Sequence, residues 1–273
     1  MKRRTFISLM SVMAAAGVLS LAGCSSNTSA STASSTAASA SAAAANKLET
    51  IQSNGKLIIA LEGAWQPWSF HDESDTLVGY DVEVSRAIAE KLGLELQIDD
   101  MEFDAALLSV QQGKADIVMA GVTVTDERKA VMDFSDSYAT GIQSIIVPND
   151  SDIASPDDLA GKKIGTQRGT TGYIYCSDDF GEDSVVAYDS GLTAVQALNN
   201  GQVDAVVIDN APATEYVAAN PGLKVLDTSY AEEDYAIGMA KGSALEDAVN
   251  KALEELKADG TLQAIVDKYI KAE

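Results

Sequence analysis

The sequence predicts an α/β protein built from two similar halves. One observation is the stretch at residues 105–128, AALLSVQQGKADIVMAGVTVTDER, in which an amphipathic helical run stops at Gly113 and a short β-type run, Ala115–Ala120, follows. A second is that residues 193–209, TAVQALNNGQVDAVVID, align without gaps on residues 105–121 at an offset of 88. A third is the length left after a low-complexity N-terminal segment, about 228 residues, which suffices for one large domain or two lobes.

The two copies end in complementary polar groups. The first runs into Gly121, Thr123 and then Arg128, whereas the second delivers Asp209 to the position that Gly121 occupies in the first. A strand end with bare backbone, hydroxyls and a guanidinium suits a carboxylate, which the planar guanidinium can hold through two hydrogen bonds. Two halves of which one ends in a cation and the other in an anion could hold a zwitterion between them. The alternative is an ordinary β-to-α turn capped by Thr125, with Arg128 in a surface ion pair.

Asp116 and Asp204 also stand at matched positions of the two copies. A role in ligand contact would place them at the wrong end of their strands. We therefore interpret both as structural residues at strand starts.

The N-terminus has the pattern of an export signal. Lys2–Arg4 are basic, and the apolar run Phe6–Leu19 is shorter than a membrane span normally requires. Leu21–Cys24 resembles the lipobox of bacterial lipoproteins, so we predict a signal peptide at residues 1–23 and a lipid anchor at Cys24; the alternative is a plain secretory signal with an incidental cysteine. Residues 24–46 are dominated by Ser, Ala and Thr and are predicted to be a flexible linker. A lipid anchor would hold the protein at the outer side of a bacterial membrane.

Composition argues against several classes of function. The formal net charge of −22 disfavours nucleic acid, whose phosphates would be repelled. Cys176 is the only cysteine besides Cys24, so neither a disulfide framework nor a CxxC metal site is expected, and we interpret Cys176 as core packing. His71 is the only histidine, which leaves no basis for a His-based metal site or a Ser-His-Asp triad. We expect no metal ion and no cofactor.

The remaining elements alternate between strand and helix. Lys56–Leu61 is predicted to be a strand from its β-branched content, and the loop after it carries Trp65 and Trp68, which could wall a small-molecule site or, especially for Trp68, pack on the core. Gly169–Gly172 is expected to open a helix whose free N–H groups favour an anion, with simple threonine capping as the alternative. Further predicted elements are a helix from Gly79 through Lys91, strands at Leu94–Ile98, Gly141–Val147, Lys163–Gln167, Val185–Val186, Leu223–Leu226 and Asp234–Met239, a short helix at Pro156–Leu159, and closing helices at Ala244–Ala258 and Leu262–Tyr269.

Several motifs stand in the order in which one protein family carries them: W-x-P-W-x-F, G-Y-D-V-E, G-K-A-D-I-V, G-V-T-V-T-x-x-R, D-F-S-D-S-Y, G-T-Q-R-G-T-T-G and D-A-V-V-I-D. By these motifs the chain resembles the extracellular solute-binding proteins of family 3, the polar amino acid binders of ABC importers, over roughly Leu48–Ile270. The resemblance implies the type II periplasmic-binding-protein fold, two α/β lobes joined by two crossover strands, with lobe one at residues 47–140 and 233–273 and lobe two at 141–232. It also implies a non-catalytic monomer outside the cytoplasm that delivers a polar amino acid to membrane permease subunits.

The same resemblance implies roles for individual residues. Arg128 would hold the α-carboxylate of the ligand, helped by the N–H groups of Thr123 and Thr171. Asp209 would take the α-ammonium group together with the Gly121 carbonyl and the Thr123 hydroxyl.

The side chain of the ligand would meet aromatic and polar groups. Trp65 and Phe103 match the aromatic positions on either side of the ligand, and Glu62 and Gln167 match positions that meet its side chain. Glu62 could pair with a cation or accept from an amide or hydroxyl, so the sequence leaves the identity of the amino acid open. The implied ligand-binding set is Glu62, Trp65, Phe103, Ala120, Gly121, Thr123, Arg128, Gln167, Thr170, Thr171 and Asp209.

Two other functions fit the same scaffold. The fold also resembles cyclohexadienyl dehydratases, in which case Glu62 is the obvious candidate for the general acid. A ligand-sensing module is the other alternative, although no signalling segment follows Lys268. Of these three functions, the sequence favours the importer.

Overall fold

The computed structural model describes residues 48–270. The predicted signal peptide at residues 1–23, the predicted lipidation site Cys24, the predicted linker at residues 24–46 and residues 271–273 lie outside this range. Within it, no helix is both long enough and apolar enough to cross a bilayer.

One large sheet organises these residues. The strands are β1 (Lys56–Leu61), β2 (Ala64–Trp65), β3 (Ser69–His71), β4 (Leu77–Val78), β5 (Glu95–Asp100), β6 (Ile117–Val118), β7 (Met132–Pro148), β8 (Ile164–Gln167), β9 (Val185–Tyr188), β10 (Ala205–Asp209), β11 (Leu223–Val225) and β12 (Ala231–Ala240). The large sheet has the order β5-β1-β6-β12-β7-β10-β8-β9, with β11 also pairing with β7, while β2, β3 and β4 form a small separate sheet.

Two long antiparallel strands divide the large sheet into two parallel parts. On one side of β12 and β7 the strands β5, β1 and β6 run parallel, and on the other side β10, β8 and β9 do so. The predicted crossover strands Gly141–Val147 and Asp234–Met239 lie inside β7 and β12, which extend further, to 17 and 10 residues. The predicted lobe boundaries at residues 140 and 232 lie within the same two strands. This arrangement agrees with two α/β lobes joined by two crossover strands.

The helices lie between the strands in an alternating order. Residues 48–54 are helical. The other α-helices are α1 (Tyr80–Leu92), α2 (Phe103–Gln111), α3 (Asp126–Val131), α4 (Thr171–Phe180), α5 (Gly191–Asn199), α6 (Asn210–Ala219), α7 (Leu245–Ala258) and α8 (Thr261–Tyr269). The predicted short helix at Pro156–Leu159 is a 3-10 turn.

The two sequence copies fold alike. Helices α2 and α5 are both nine residues long and begin 88 positions apart, as do the strands β6 and β10 that follow them. Strand β6 has two residues, fewer than the predicted run Ala115–Ala120. The flanking chain nonetheless stays beside β1, through hydrogen bonds from Asp116 N–H to the Ile58 carbonyl and from Met119 N–H to the Ala60 carbonyl.

Both faces of the parallel strands are buried. In β1, Leu57 and Ile59 pack with α1, α7 and α8, while Ala60 packs with α2 on the opposite face. In β10, Val206 packs with α5 and α6, while Val207 packs with α4. Since the faces are covered by helices, the carboxyl ends of the strands are the places where polar side chains can converge on a ligand.

Candidate functional site

The site lies where four parallel strands end. Glu62 follows β1, Gly121 follows β6, and Gln167 and Asp209 end β8 and β10. The cleft is lined by Glu62, Trp65, Phe103, Ala120, Gly121, Thr123, Arg128, Gln143, Gln167, Thr170, Thr171, Ile208, Asp209 and Tyr235. The structure thus brings all eleven residues of the implied ligand-binding set together in one cleft.

Arg128 is a buried cation at the cleft, only 8% exposed. It lies in the short helix α3, whose first turn is fixed by Thr125, because the Thr125 hydroxyl accepts from Arg128 N–H at 3.2 Å. The guanidinium donates to the Thr123 carbonyl at 2.8 Å and, across the cleft, to the Gly169 carbonyl at 3.0 Å. Its carbon lies 5.5 Å from the centre of the Phe103 ring. A guanidinium has five N–H donors, so two such bonds leave capacity for a carboxylate.

Backbone N–H groups flank the guanidinium. The segment around Thr123 pairs with β12 through hydrogen bonds from Val124 N–H to the Asp234 carbonyl and from Ala236 N–H to the Val122 carbonyl, so this pairing does not use the N–H of Thr123 itself. Thr171 opens helix α4 on the opposite wall. An anion beside Arg128 would therefore meet the positive end of a ten-residue helix.

Asp209 is a buried acid of the site, at the end of β10 and the start of α6. Its carboxylate accepts from the Tyr235 hydroxyl at 2.5 Å, from Ala211 N–H at 3.0 Å and from the Trp68 indole at 3.4 Å. Burial raises the pKa of Asp209 to about 6, although these three donors hold it lower than burial alone would. Trp68 packs in the core as the sequence suggested, and its indole N–H also reaches this carboxylate.

Glu62 and Gln167 meet at the other end of the cleft. The Gln167 amide donates to both carboxylate oxygens of Glu62, at 2.9 and 2.7 Å. Burial, helped by the negative charges of Glu102, Asp100 and Asp104, raises the pKa of Glu62 to about 7, although the hydrogen bonds from Gln167 lower it in part. This end of the cleft is therefore the more favourable one for a positive charge.

Aromatic rings form the walls between these two ends. Trp65 stacks on Trp68, with ring centres 5.5 Å apart and an angle of 21° between the planes. The backbone of Gly121 lies directly against Trp65: it has a φ of +55°, and a Cβ there would lie 2.0 Å from the Trp65 ring. Only glycine allows this close approach.

Replacing Gly121 by alanine is expected to destabilise the protein by about 1–3 kcal/mol and to weaken ligand binding, because the new methyl group displaces Trp65. Urea denaturation and ligand titration measure the two effects. Gly201→Ala is the matched control, because Gly201 has a similar φ of +67° and nothing lies within 4 Å of its Cβ position. Equal losses in the two variants would show that contact with Trp65 is unimportant.

Three lining residues were missed by the sequence analysis: Gln143, Ile208 and Tyr235. Ile208 lies 88 positions after Ala120, so the internal repeat could have identified it. Gln143 and Tyr235 come from the long strands β7 and β12, and no motif marks them.

Asp116, Asp204 and Cys176, which the sequence indicated to be structural, lie outside the cleft lining. Asp116 accepts from Ile58 N–H at 2.9 Å, and Asp204 accepts from Lys163 N–H at 2.7 Å, so the two copies tie the start of a neighbouring strand in the same way. Cys176 is fully buried, and burial raises the pKa of its thiol to about 12.

Among residues 48–270, no group of three or more His, Cys, Asp or Glu side chains is placed to hold a metal ion.

The sequence and the fold are both similar to those of known solute-binding proteins. The family model for bacterial extracellular solute-binding proteins, family 3, matches residues 57–272. The L-cystine-binding protein TcyJ of Escherichia coli strain K12 is 34% identical over 230 residues, which cover 83% of this chain and 86% of that protein. The arginine-binding extracellular protein ArtP of Bacillus subtilis is 33% identical over 223 residues, covering 80% and 87%. The crystal structure of the amino acid ABC transporter substrate-binding protein AbpA from Streptococcus pneumoniae, bound to L-arginine, superimposes with a TM-score of 0.75 at 37% identity, covering 81% of this chain and 96% of that one.

Proposed function

Because the chain belongs to the bacterial extracellular solute-binding proteins, family 3, we propose that its cleft binds an α-amino acid as a zwitterion. Its relatives are amino acid-binding proteins of ABC transporters, and the chain is accordingly a substrate-binding component of such an importer. The same relatives support this role and not the dehydratase alternative. The observation that carries the proposal is that a buried cation, Arg128, and a buried anion, Asp209, line the same cleft.

In the proposed complex each charge of the zwitterion meets its opposite. The α-carboxylate binds Arg128 and the N–H groups of Thr123 and Thr171. The α-ammonium binds Asp209 and the oxygens of Gly121 and Thr123. A charge removed from water needs such a partner, since burial without one is costly.

We further propose a ligand with a positively charged side chain, such as arginine. Glu62 supports this, since it is only 5% exposed and lies among three further carboxylates at the side-chain end of the cleft. A bound cation would offset the unfavourable burial of the Glu62 charge. Two of the relatives compared above bind arginine, whereas a third binds L-cystine, a competing ligand with two zwitterionic ends.

Binding is proposed to favour closure of the two lobes, whose boundaries we place at residues 140 and 232. Several contacts already join the two walls: the Gln167 amide to Glu62, Arg128 to the Gly169 carbonyl, and the Tyr216 hydroxyl to the Ala64 carbonyl at 3.1 Å. A ligand that contacts both walls at once binds the closed form more tightly and so shifts the population toward it.

A thermal-shift screen tests the proposed ligand class. Residues 46–273 would be screened against the twenty amino acids, L-cystine and L-ornithine, because a ligand that binds only the native state raises the melting temperature. This region corresponds to nearly the whole of the related solved chain. We expect the largest shift with L-arginine. A shift with L-cystine alone would keep the zwitterion site but overturn the cationic side chain, and no shift with any amino acid would overturn the proposal.

Glu62→Gln is expected to remove most of the pH dependence of arginine binding above about pH 6.5, where Asp209, with a pKa of about 6, is already largely ionised. In the parent protein, Glu62 must ionise to pair with the cation, so with a pKa of about 7 the affinity should rise roughly fourfold between about pH 6.5 and 8 and then level off. The variant should bind arginine about tenfold more weakly at pH 8, with little change for neutral glutamine. Isothermal titration between about pH 6.5 and 8 measures this.

Glu95→Gln is the control for this experiment, because Glu95 is exposed and pairs with Lys56 at 3.7 Å on the surface. A parent protein whose arginine affinity is independent of pH would contradict the assignment of Glu62.

We also propose that Cys24 carries the lipid anchor and that residues 24–46 tether the binding domain to the membrane. The family is extracellular, and the basic and apolar segments before Cys24 support export. Cys24→Ala is expected to move the protein from the membrane fraction to the soluble extracytoplasmic fraction, as seen by fractionation and immunoblotting. Cys176→Ala should leave the distribution unchanged. Membrane retention of the Cys24 variant would argue for another anchor.

A further inference from the structure

Glu233 is a buried acid behind the cleft that neither the sequence motifs nor the proposed ligand contacts include. It lies in the crossover strand β12 and is only 5% exposed. Its Oε2 atom accepts from the Thr123 hydroxyl at 3.0 Å and from the Gln143 amide, on crossover strand β7, also at 3.0 Å. Its Oε1 atom is buried without a hydrogen-bond partner among residues 48–270. Glu233 therefore joins Thr123, a site residue, to both crossover strands.

The hydrogen bond to Glu233 fixes the direction of the Thr123 hydroxyl. A hydroxyl carries one hydrogen and two acceptor lone pairs. Since the hydrogen points to Glu233, only lone pairs remain for other partners. The Thr171 hydroxyl on the opposite wall, at 3.4 Å, must then act as donor toward Thr123. The cleft side of Thr123 is thereby an acceptor.

An acceptor at this position discriminates between ligands. An α-ammonium group can only donate, so it matches the lone pairs of Thr123. A ligand with hydrogen in place of the ammonium group leaves the buried charge of Asp209 without a counter-ion and one acceptor position of Thr123 unfilled, which disfavours its binding.

We propose that Glu233 is a positioning residue that holds the Thr123 hydroxyl as an acceptor and thereby selects α-amino acids over acids that lack the α-ammonium group. The inference rests on the proposed zwitterion site and adds that Glu233 determines whether the Thr123 hydroxyl donates or accepts there. Glu233 acts through Thr123 and needs no contact with the ligand.

A competing role for Glu233 is charge balance. Its negative charge favours the charged form of Arg128. A residue that acted only through Arg128 would influence the carboxylate end of the ligand, which α-amino acids and their des-amino analogues share. The ratio of the two affinities would then stay constant when Glu233 is changed.

The test measures that ratio by isothermal titration with L-arginine and 5-guanidinopentanoic acid, which is arginine without its α-ammonium group. We expect Glu233→Met, which removes the acceptor, to lower arginine affinity about tenfold and that of the analogue less than twofold, so that the ratio falls. Glu233→Gln should keep the ratio, because its amide oxygen can replace Oε2 and accept from both Thr123 and Gln143. Thr123→Val should lower the ratio as well. In the Thr123→Val background, Glu233→Met should have no further effect on it, because interacting residues are not additive.

Glu232→Gln is the matched control, since Glu232 is the exposed neighbour on the same strand. An unchanged ratio in Glu233→Met overturns the inference and leaves the zwitterion site intact. A further fall in the Thr123→Val background also overturns it, since Glu233 would then act by its charge. A parent protein that binds both compounds equally overturns the proposed zwitterion site itself, and one that binds neither overturns the proposed cationic ligand.

Discussion

An Arg128→Ala variant is expected to lose amino acid binding by about 2–5 kcal/mol, which corresponds to roughly a 30- to 5,000-fold weaker affinity. The reason is that the ligand carboxylate would remain buried at the start of helix α4 without its cation. The affinity of Arg128→Lys should fall between those of the parent protein and of Arg128→Ala, since an ammonium group keeps the charge but not the planar pair of donors. Isothermal titration with L-arginine measures the loss.

Arg86→Ala is the matched control for Arg128, because Arg86 is exposed on helix α1 and its removal should change affinity by less than twofold. The melting temperature of each unliganded variant must be measured as well, since Arg128 also donates to the Thr123 and Gly169 carbonyls. An affinity that survives in a folded Arg128→Ala protein would mean that the carboxylate binds elsewhere.

Stability is expected to rise as the pH falls from about 8 to about 5. Burial raises the pKa of Asp81 to about 8, of Glu62 to about 7 and of Asp209 to about 6. Between the ordinary carboxyl pKa and these values the native state binds more protons than the unfolded state, so the free energy of unfolding falls as the pH rises. Below about pH 4 the trend reverses, because Asp133 and Asp259 have lowered pKa values and lose their stabilising ion pairs when protonated.

Asp81 should account for much of this pH dependence. It is fully buried on helix α1, and neither of its carboxylate oxygens forms a hydrogen bond of normal geometry, although the Tyr138 hydroxyl and Gly121 N–H lie close enough to lower its pKa in part. The negative charge of Asp209 raises that pKa further.

Asp81→Asn removes this titration. The variant is expected to be more stable than the parent at pH 8 by a few kcal/mol, with the advantage shrinking by up to about 1.4 kcal/mol per pH unit as the pH falls toward 5. Urea denaturation at several pH values measures the difference. Asp178→Asn, at an exposed position of helix α4, removes the same charge from the surface and controls for the general relief of a chain with net charge −22. A slope shared by both variants would mean that overall charge, not Asp81, sets the trend.

Local pattern was sufficient for most of the fold, whereas most of the cleft residues were predicted from the resemblance of the ordered motifs to a known family. Strand Lys56–Leu61 has the predicted bounds, and the helices at the two repeats begin 88 positions apart as the aligned copies do. The eleven predicted residues line one cleft because they follow strands of the parallel type, whose carboxyl ends meet at one edge. Because the repeat aligns Ile208 with Ala120, Ile208 could also have been predicted from the sequence as a cleft residue.

The sequence by itself determined the repeated strand–helix units and the charged groups at their ends, since periodicity and strand-end position are properties of neighbouring residues. Only the tertiary structure decided which groups of the crossover strands join the site. Glu233 and Gln143 are 90 positions apart, and the antiparallel pairing of β12 with β7 brings them together. The raised pKa values of Glu62 and Asp209 likewise could not be predicted from the sequence, because they depend on burial. Burial is set by the packing of distant segments, and no local pattern of residues encodes it.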